Sequence, residues 1–255
     1  MSNRALITRR AAEDGVPAPA VERDYVLAHI VAALGNLGDD HGLVFKGGTA
    51  LRLCYFDDYR YSADLDFSVV KGDLAGAYGT IQAAFSAVTG AVESLTLTQG
   101  EPRRIGYRGP LGRQRYLKLD IAVDELVLGA DSVGLLPRWP DLPKTDGLRV
   151  YSLAEIAGEK LRCIMQRMQC RDLYDLWLLF ENADVDPLDA SGIFRPKAEH
   201  RNLDPAGFET NYRARLEQYR RRWTNELEVH IAGEVPHFGH VERAVSRRLR
   251  GVDLI

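Results

Sequence analysis

The sequence predicts an α+β protein: a mixed α and β part over residues 1–150, then a helical subdomain over 151–255. Three observations carry this. Segments with period-two alternation and β-branched content recur up to about Val150. After Ser152 they stop, and "SLAEIAGEKLRCIMQRM", "RDLYDLWLLFE" and "PAGFETNYRARLEQYRRRWTNELEVHI" all have helical periodicity. The chain of 255 residues is 45% hydrophobic, which suffices for a sizeable core.

In chain order, "VERDYVLAHIVAALGNLG" has apolar residues at helical spacing, "LVF" is a short strand-like run, and "GGTALRLCYF" reads as a turn opening another helix. A strand follows around Leu65 to Val70, then a helix over "LAGAYGTIQAAFSAV". Strands are expected at "ESLTLTQ", "RRIGYR" and "RQRYLKLDIAV", and "LLPRWPDLPKTDG", with three prolines, is the clearest loop. No run approaches the ~18 apolar residues of a membrane span, and "MSNRALITRR" lacks the apolar segment of a secretory signal, so a cytoplasmic protein without membrane contact is expected. The cysteines Cys54, Cys163 and Cys170 are odd in number and unpaired with a nearby Cys or His, which argues against structural zinc and a disulfide framework. A net charge of -3 does not favour nucleic acid as a whole-chain property. Between Arg201 and Arg250, however, ten Arg or Lys stand against seven Asp or Glu, so local basic faces are possible.

The stretch "FKGGTALRLCYFDDYRYSADLDFSVV" concentrates the chemistry. In a strand, Ser62, Asp64, Asp66 and Ser68 point one way and Ala63, Leu65, Phe67 and Val69 the other. The same alternation in "QRYLKLDIAVD" puts Leu117, Leu119, Ile121 and Val123 on one face, with Tyr116, Lys118, Asp120, Ala122 and Asp124 opposite. If the two strands are neighbours, Asp64, Asp66 and Asp120 converge. Such carboxylates repel unless a divalent cation is shared among them, and Mg²⁺ (or Mn²⁺) takes a few carboxylates plus substrate phosphates. A solvated amphipathic edge strand is the plainer reading. Gly47, Gly48 and Thr49 between a strand and a helix weigh against it: glycines permit close approach to phosphate, and backbone amides and the Thr49 hydroxyl can donate. The spacing is not that of a Walker motif.

On the helix after Ser152, Leu153, Ile156, Ala157, Leu161, Ile164 and Met168 form an apolar arc that includes Lys160 and Arg167. These cations either snorkel at the edge of the stripe or reach nucleotide phosphates. Asp172 and Asp175 open the next helix, where an acid is favoured by the dipole in any case.

Together, "FKGGTALRL", "RYSADLDFSV", "YLKLDIAV" and "SLAEIAGEKLRCIMQRMQCRDLYDLW" resemble the AbiEii family of nucleotidyltransferase toxins, which includes the mycobacterial MenT group of type IV toxin–antitoxin systems. The resemblance runs from about Leu43 to Phe180. It implies a DNA-polymerase-β-like nucleotidyltransferase core with a helical subdomain completing the active site. It also implies Mg²⁺-dependent transfer of a nucleoside monophosphate from an NTP with release of pyrophosphate.

Carried over by position, Gly47, Gly48 and Thr49 match the phosphate-binding turn, Asp64 and Asp66 the metal-binding Asp-x-Asp, and Lys160 the helix lysine. Arg167 is an assisting cation. Asp172 is the favoured acid of Arg-Asp-x-x-Asp, with Asp175 secondary because helical geometry turns it further from the apolar face. Asp120 fits the third carboxylate of the wider superfamily, and Arg60 and Ser62 the Arg-x-Ser-x-Asp segment, in which Ser62 is a candidate regulatory phosphorylation site. The resemblance further implies a cognate antitoxin and the 3′ end of tRNA as acceptor, so that transfer blocks translation. A protein or small-molecule acceptor and a non-catalytic NTP-binding toxin are the alternatives.

Overall fold

The computed structural model describes residues 2–88, 90–100, 102–145 and 147–255. The chain divides into two compact units. The first comprises Met1–Glu125, Ala130–Val150 and His230–Gly233, the second Leu126–Gly129, Tyr151–Val229 and Glu234–Ile255.

The first unit is built on a mixed seven-stranded sheet of order β3-β4-β5-β2-β1-β7-β6. Its strands are β1 (Leu43–Lys46), β2 (Asp64–Val69), β3 (Ser94–Leu97), β4 (Arg104–Arg108), β5 (Gln114–Ala122), β6 (Ala130–Val133) and β7 (Leu148–Tyr151). β1 runs antiparallel to β2, β2 parallel to β5, and β3, β4 and β5 form an antiparallel meander. The loop expected over "LLPRWPDLPKTDG" is the connection between β6 and β7; its Asp146 lies outside the described residues. β6 and β7 themselves, "ADSV" and "LRVY", were not expected: the first has one β-branched residue, and the second directly follows the proline-rich loop.

Helix α1 (Asn3–Asp14), also unexpected, is capped by the Ser2 side chain and closed by Gly15 in the left-handed region. α2 (Ala18–Gly35) begins at Pro17 and is buried almost throughout. Its acids are paired: Glu22 accepts from the Leu111 amide at 2.6 Å and from Arg115 at 3.1 Å, and Asp24 accepts from Arg52. Arg52 sits on the π-helical turn Leu51–Tyr55, which continues the short helix α3 (Gly47–Ala50), and its guanidinium lies 3.7 Å from the centre of the Tyr61 ring. The glycine turn is thereby anchored to α2 through a buried ion pair. α4 (Leu74–Phe85) is capped by Asp73 and packs on β3 and β5.

The second unit is helical: α5 (Leu153–Gln166), α6 (Cys170–Glu181), α7 (Pro187–His200), α8 (Phe208–Leu227) and α9 (Phe238–Arg250). Ser152 caps α5 by accepting from the Glu155 amide. α5 packs most extensively on α7, and closely: a Cβ at Gly158 would stand 2.6 Å from Ile193 Cγ2. α5 ends at Gln166, so Arg167 and Met168 lie beyond the helix instead of on its expected arc. Among the described residues, no helix is long and apolar enough to cross a membrane.

Candidate active site

In the first unit, strand pairing brings the predicted carboxylates together. Asp66 stands opposite Asp120 in the β2–β5 register and opposite Lys46 in the β1–β2 register, with Asp64 two residues earlier on the same face. Burial, then the Asp64 and Asp120 carboxylates, push the Asp66 carboxyl up to about 6, against the weaker pull of Lys46 and Lys118. Asp120 is exposed and lies 3.5 Å from Lys118 of its own strand.

Gly47 begins α3 immediately after β1. Its φ of 79° lies in the left-handed region, and a Cβ there would stand 2.7 Å from Asp66 Oδ2. Any side chain would collide with the acid. At Gly48 a Cβ would lie 2.5 Å from Arg60 Nη2 and 3.2 Å from Ser62 Oγ, so Arg60 and Ser62 fill the opposite side of the turn. Arg60 donates to the Tyr61 carbonyl at 3.4 Å. Ser62 is 7% exposed, which shields its hydroxyl from a modifying enzyme in this conformation. Thr49 corrects an expectation: it is 1% exposed and its hydroxyl donates to the Asp64 carbonyl, so it ties turn to strand instead of facing a phosphate.

Two participants escaped the sequence reading. Lys46, buried beside the acids, forms an ion pair with Glu125 at 3.3 Å. A lysine in "LVFK", the residue on the acid-facing register of a central strand, was the available signal. Glu125 offered none, because it follows a strand end.

In the second unit, Lys160 is 7% exposed and bridges Asp172 at 2.8 Å and Asp175 at 2.7 Å. Arg167, half-exposed, meets Asp172 with two donors, Nε to Oδ2 at 2.8 Å and Nη2 to Oδ1 at 3.0 Å. Burial alone would raise the Asp172 carboxyl, but Lys160 and Arg167 outweigh it and hold it below the usual range. Asp175 is fully buried and shares Lys160, which corrects the expectation that it turns away: α6 presents both acids, three residues apart, to one ammonium. A second buried lysine, Lys197 of α7, was also missed. It reaches Glu155 at 2.5 Å and the Leu126 carbonyl at 2.7 Å.

The C-terminal arginines are largely neutralised on their own helices or on α6. Arg213 pairs with Glu209, Arg221 with Glu217, Arg222 with Glu226, and Arg247 and Arg248 with Glu181.

Among the described residues, no group of three or more His, Cys, Asp or Glu side chains is disposed to hold a metal ion. The donor set of Asp64 and Asp66 still fits a hard divalent cation whose remaining ligands are water and phosphate oxygens, which would offset both the burial and the neighbouring carboxylates that raise Asp66.

A family model described as "Nucleotidyl transferase AbiEii toxin, Type IV TA system" matches residues 29–245. Comparison with curated protein sequences gives no significant match. Among solved structures, MenT4, a nucleotidyltransferase toxin from Mycobacterium tuberculosis H37Rv, aligns with a TM-score of 0.74 at 24% identity over 100% of this chain and 89% of that one. An antigenic nucleotidyltransferase-like protein from Paracoccidioides brasiliensis aligns with a TM-score of 0.43 at 15% identity, over 81% of this chain and 94% of that one.

Proposed function

The chain belongs to the AbiEii nucleotidyltransferase toxins of type IV toxin–antitoxin systems, and on that footing we propose that it transfers a nucleoside monophosphate from an NTP to a hydroxyl at the 3′ end of tRNA. The observation that supports this reading is the pairing of Asp66 with Asp120 across adjacent parallel strands, with the Asp66 carboxylate 2.7 Å from where a Cβ on Gly47 of the turn would stand.

In the reaction, an acceptor oxygen bonds to the α-phosphorus, the bond from that phosphorus to the β-bridging oxygen breaks, and pyrophosphate leaves. Asp64 and Asp66 would hold Mg²⁺ (or Mn²⁺), which when bound neutralises triphosphate charge and stabilises the leaving group. Gly47 and Gly48 leave room for phosphate at the turn. Thr49 fixes that turn to the strand bearing Asp64. Lys46 keeps a buried positive charge beside the acids. Asp120, exposed, is the acid we assign to orienting the acceptor hydroxyl and receiving its proton. For the second unit we propose a part in turnover for Lys160, with Asp172, Asp175 and Arg167 holding its ammonium in place. The family also implies an antitoxin partner, for which a phosphoryl group on Ser62 is one route of silencing; local opening around the buried hydroxyl would have to precede it.

The test is to incubate the purified chain with each labelled NTP and total cellular RNA, with Mg²⁺ and with chelator. Label on tRNA that disappears with chelator and in the Asp64→Ala/Asp66→Ala variant is expected. Label on protein or on a small molecule instead would overturn the tRNA acceptor, and unchanged labelling by the double variant would overturn the site.

A further inference from the structure

Along β4 and β5 of the first unit, the described side chains alternate between a buried side and an exposed one. Ile105, Tyr107, Leu117 and Leu119 are buried on the side where α4 packs. Alternation turns Arg104, Arg108, Tyr116, Lys118 and Asp120 to the other side, and all five are exposed. This open face is continuous with the carboxylate site, because Asp120 belongs to it and pairs with Asp66 in the next strand.

Tyr116 is its conspicuous member, a large aromatic left 55% exposed. It pairs across strands with Gly106, where a Cβ would stand 2.8 Å from Thr96 Oγ1, 3.2 Å from Gln114 Nε2 and 3.4 Å from Tyr116 Cε1, so the edge of the ring borders the glycine together with two polar side chains. Bordering a strand glycine accounts for the position of the ring. It does not account for the charge around it. Arg104 pairs with Lys118 in the register, and Arg108 flanks them on β4. The acids nearby, Glu93 against Arg108 at 3.5 Å and Asp120 against Lys118 at 3.5 Å, form exposed pairs of the kind that exchange readily with a competing anion.

We propose that this face is the docking platform for the single-stranded 3′ segment of the RNA acceptor, with a base stacked on Tyr116 and backbone phosphates on Arg104, Arg108 and Lys118. A solvent-facing aromatic among cations on an open sheet is how single strands are held without a deep pocket. Tyr116 and Asp120 are four residues apart on β5, about 13 Å at ~3.3 Å per residue. A strand lying along β5 therefore brings its end to the carboxylates. The inference rests on RNA being the acceptor of the transfer reaction.

A fluorescent eight-nucleotide single-stranded RNA with a free 3′ hydroxyl is titrated against the full chain, and KM values for RNA and for NTP are measured separately. Tyr116→Ala should weaken RNA binding and raise the RNA KM by about tenfold or more, leaving the NTP KM and thermal stability within about twofold and a few degrees. Tyr116→Phe should retain binding. Arg104→Gln should lower the slope of log K against log salt by about one.

If the wild type binds the octamer and Tyr116→Ala binds it equally, the platform is wrong while RNA transfer stands. Octamer binding that depends on Tyr116, with no RNA labelled in the transfer assay, would overturn the acceptor role of this face together with the transfer reading and leave only an RNA-binding surface. A wild type that ignores the octamer, or a Tyr116→Ala variant that alters only self-association, overturns the platform.

Discussion

Replacing Asp66 by Asn should stabilise the protein at neutral pH while abolishing transfer, because the site holds a carboxyl that resists ionisation. Burial and two neighbouring carboxylates hold Asp66 at about 6, against an ordinary value near 3.8. At ~1.4 kcal/mol per pH unit the folded state gives up at most about 3 kcal/mol on ionising this group, and about 1–3 kcal/mol once residual solvent access is allowed for. The sign follows from the folded state binding the proton more tightly than the unfolded one. The stabilisation from the protonated acid is fully present below about 3.8 and is lost as pH rises through about 6. Asn keeps the shape without the charge, so its advantage should be absent near pH 3.5, grow through the interval and level off above pH 7. For a chain of this size 1 kcal/mol corresponds to ~2–4 °C in Tm, which places the gain at roughly 2–12 °C in chelator at pH 7.5. Differential scanning calorimetry of both proteins across this pH range reads it directly. Adding Mg²⁺ should raise the Tm of the wild type and not of the variant, because only the ionised carboxylate binds it. A variant less stable than wild type at pH 7.5, or a difference that does not change with pH, would refute the electrostatic account of this strand.

Two further substitutions test the surrounding geometry. Gly47→Ala forces a left-handed φ on a residue with a Cβ and pushes that Cβ into Asp66, so it should cost about 1–2 kcal/mol and lower kcat/KM at least tenfold, measured by urea denaturation and single-turnover labelling. Lys160→Met leaves Asp172 and Asp175 buried without their shared ammonium and should cost about 3–5 kcal/mol; adding Asp172→Asn and Asp175→Asn should restore most of the stability but no activity.

Much of the fold could be read from period alone. The strands that carry the acids showed alternation of apolar and polar residues in sequence, "DLDFSV" and "YLKLDI", and α5 and α6 showed an apolar arc with an independent cap or anchor. β6 and β7 did not: "ADSV" carries one β-branched residue beside two polar ones, and "LRVY" directly follows the proline-rich loop. α7 escaped for a different reason: Pro187 after the Asp186 cap is a helix-start signal, but Gly192 and Pro196 argue against its continuation, and packing of Gly158 against Ile193 overrides them. Propensity is a local quantity, and this helix is held by a close tertiary contact.

The site divides along the same line. Asp64, Asp66 and Asp120 were legible because alternation assigns a residue to a face, and a face to a neighbour once strands pair. Thr49 was misread because a hydroxyl beside a glycine turn has two uses, donation to a ligand and donation to the chain's own carbonyls, and spacing does not distinguish them. Asp175 was misread because a helical wheel measures distance from an apolar arc, whereas a lysine with four methylenes can gather acids from beyond it. Lys160 shows as a cation inside an apolar arc and Lys46 as one at the end of an apolar strand, but the carboxylates that meet Lys46 and Lys197 come from distant segments that only the fold brings together. In the first unit burial, reinforced by Asp64 and Asp120, disfavours the charge on Asp66; in the second, one lysine and one arginine satisfy Asp172 and depress it. Under the proposed function the first cluster is the one that a cation from solution would relieve, while Lys160 already neutralises the second.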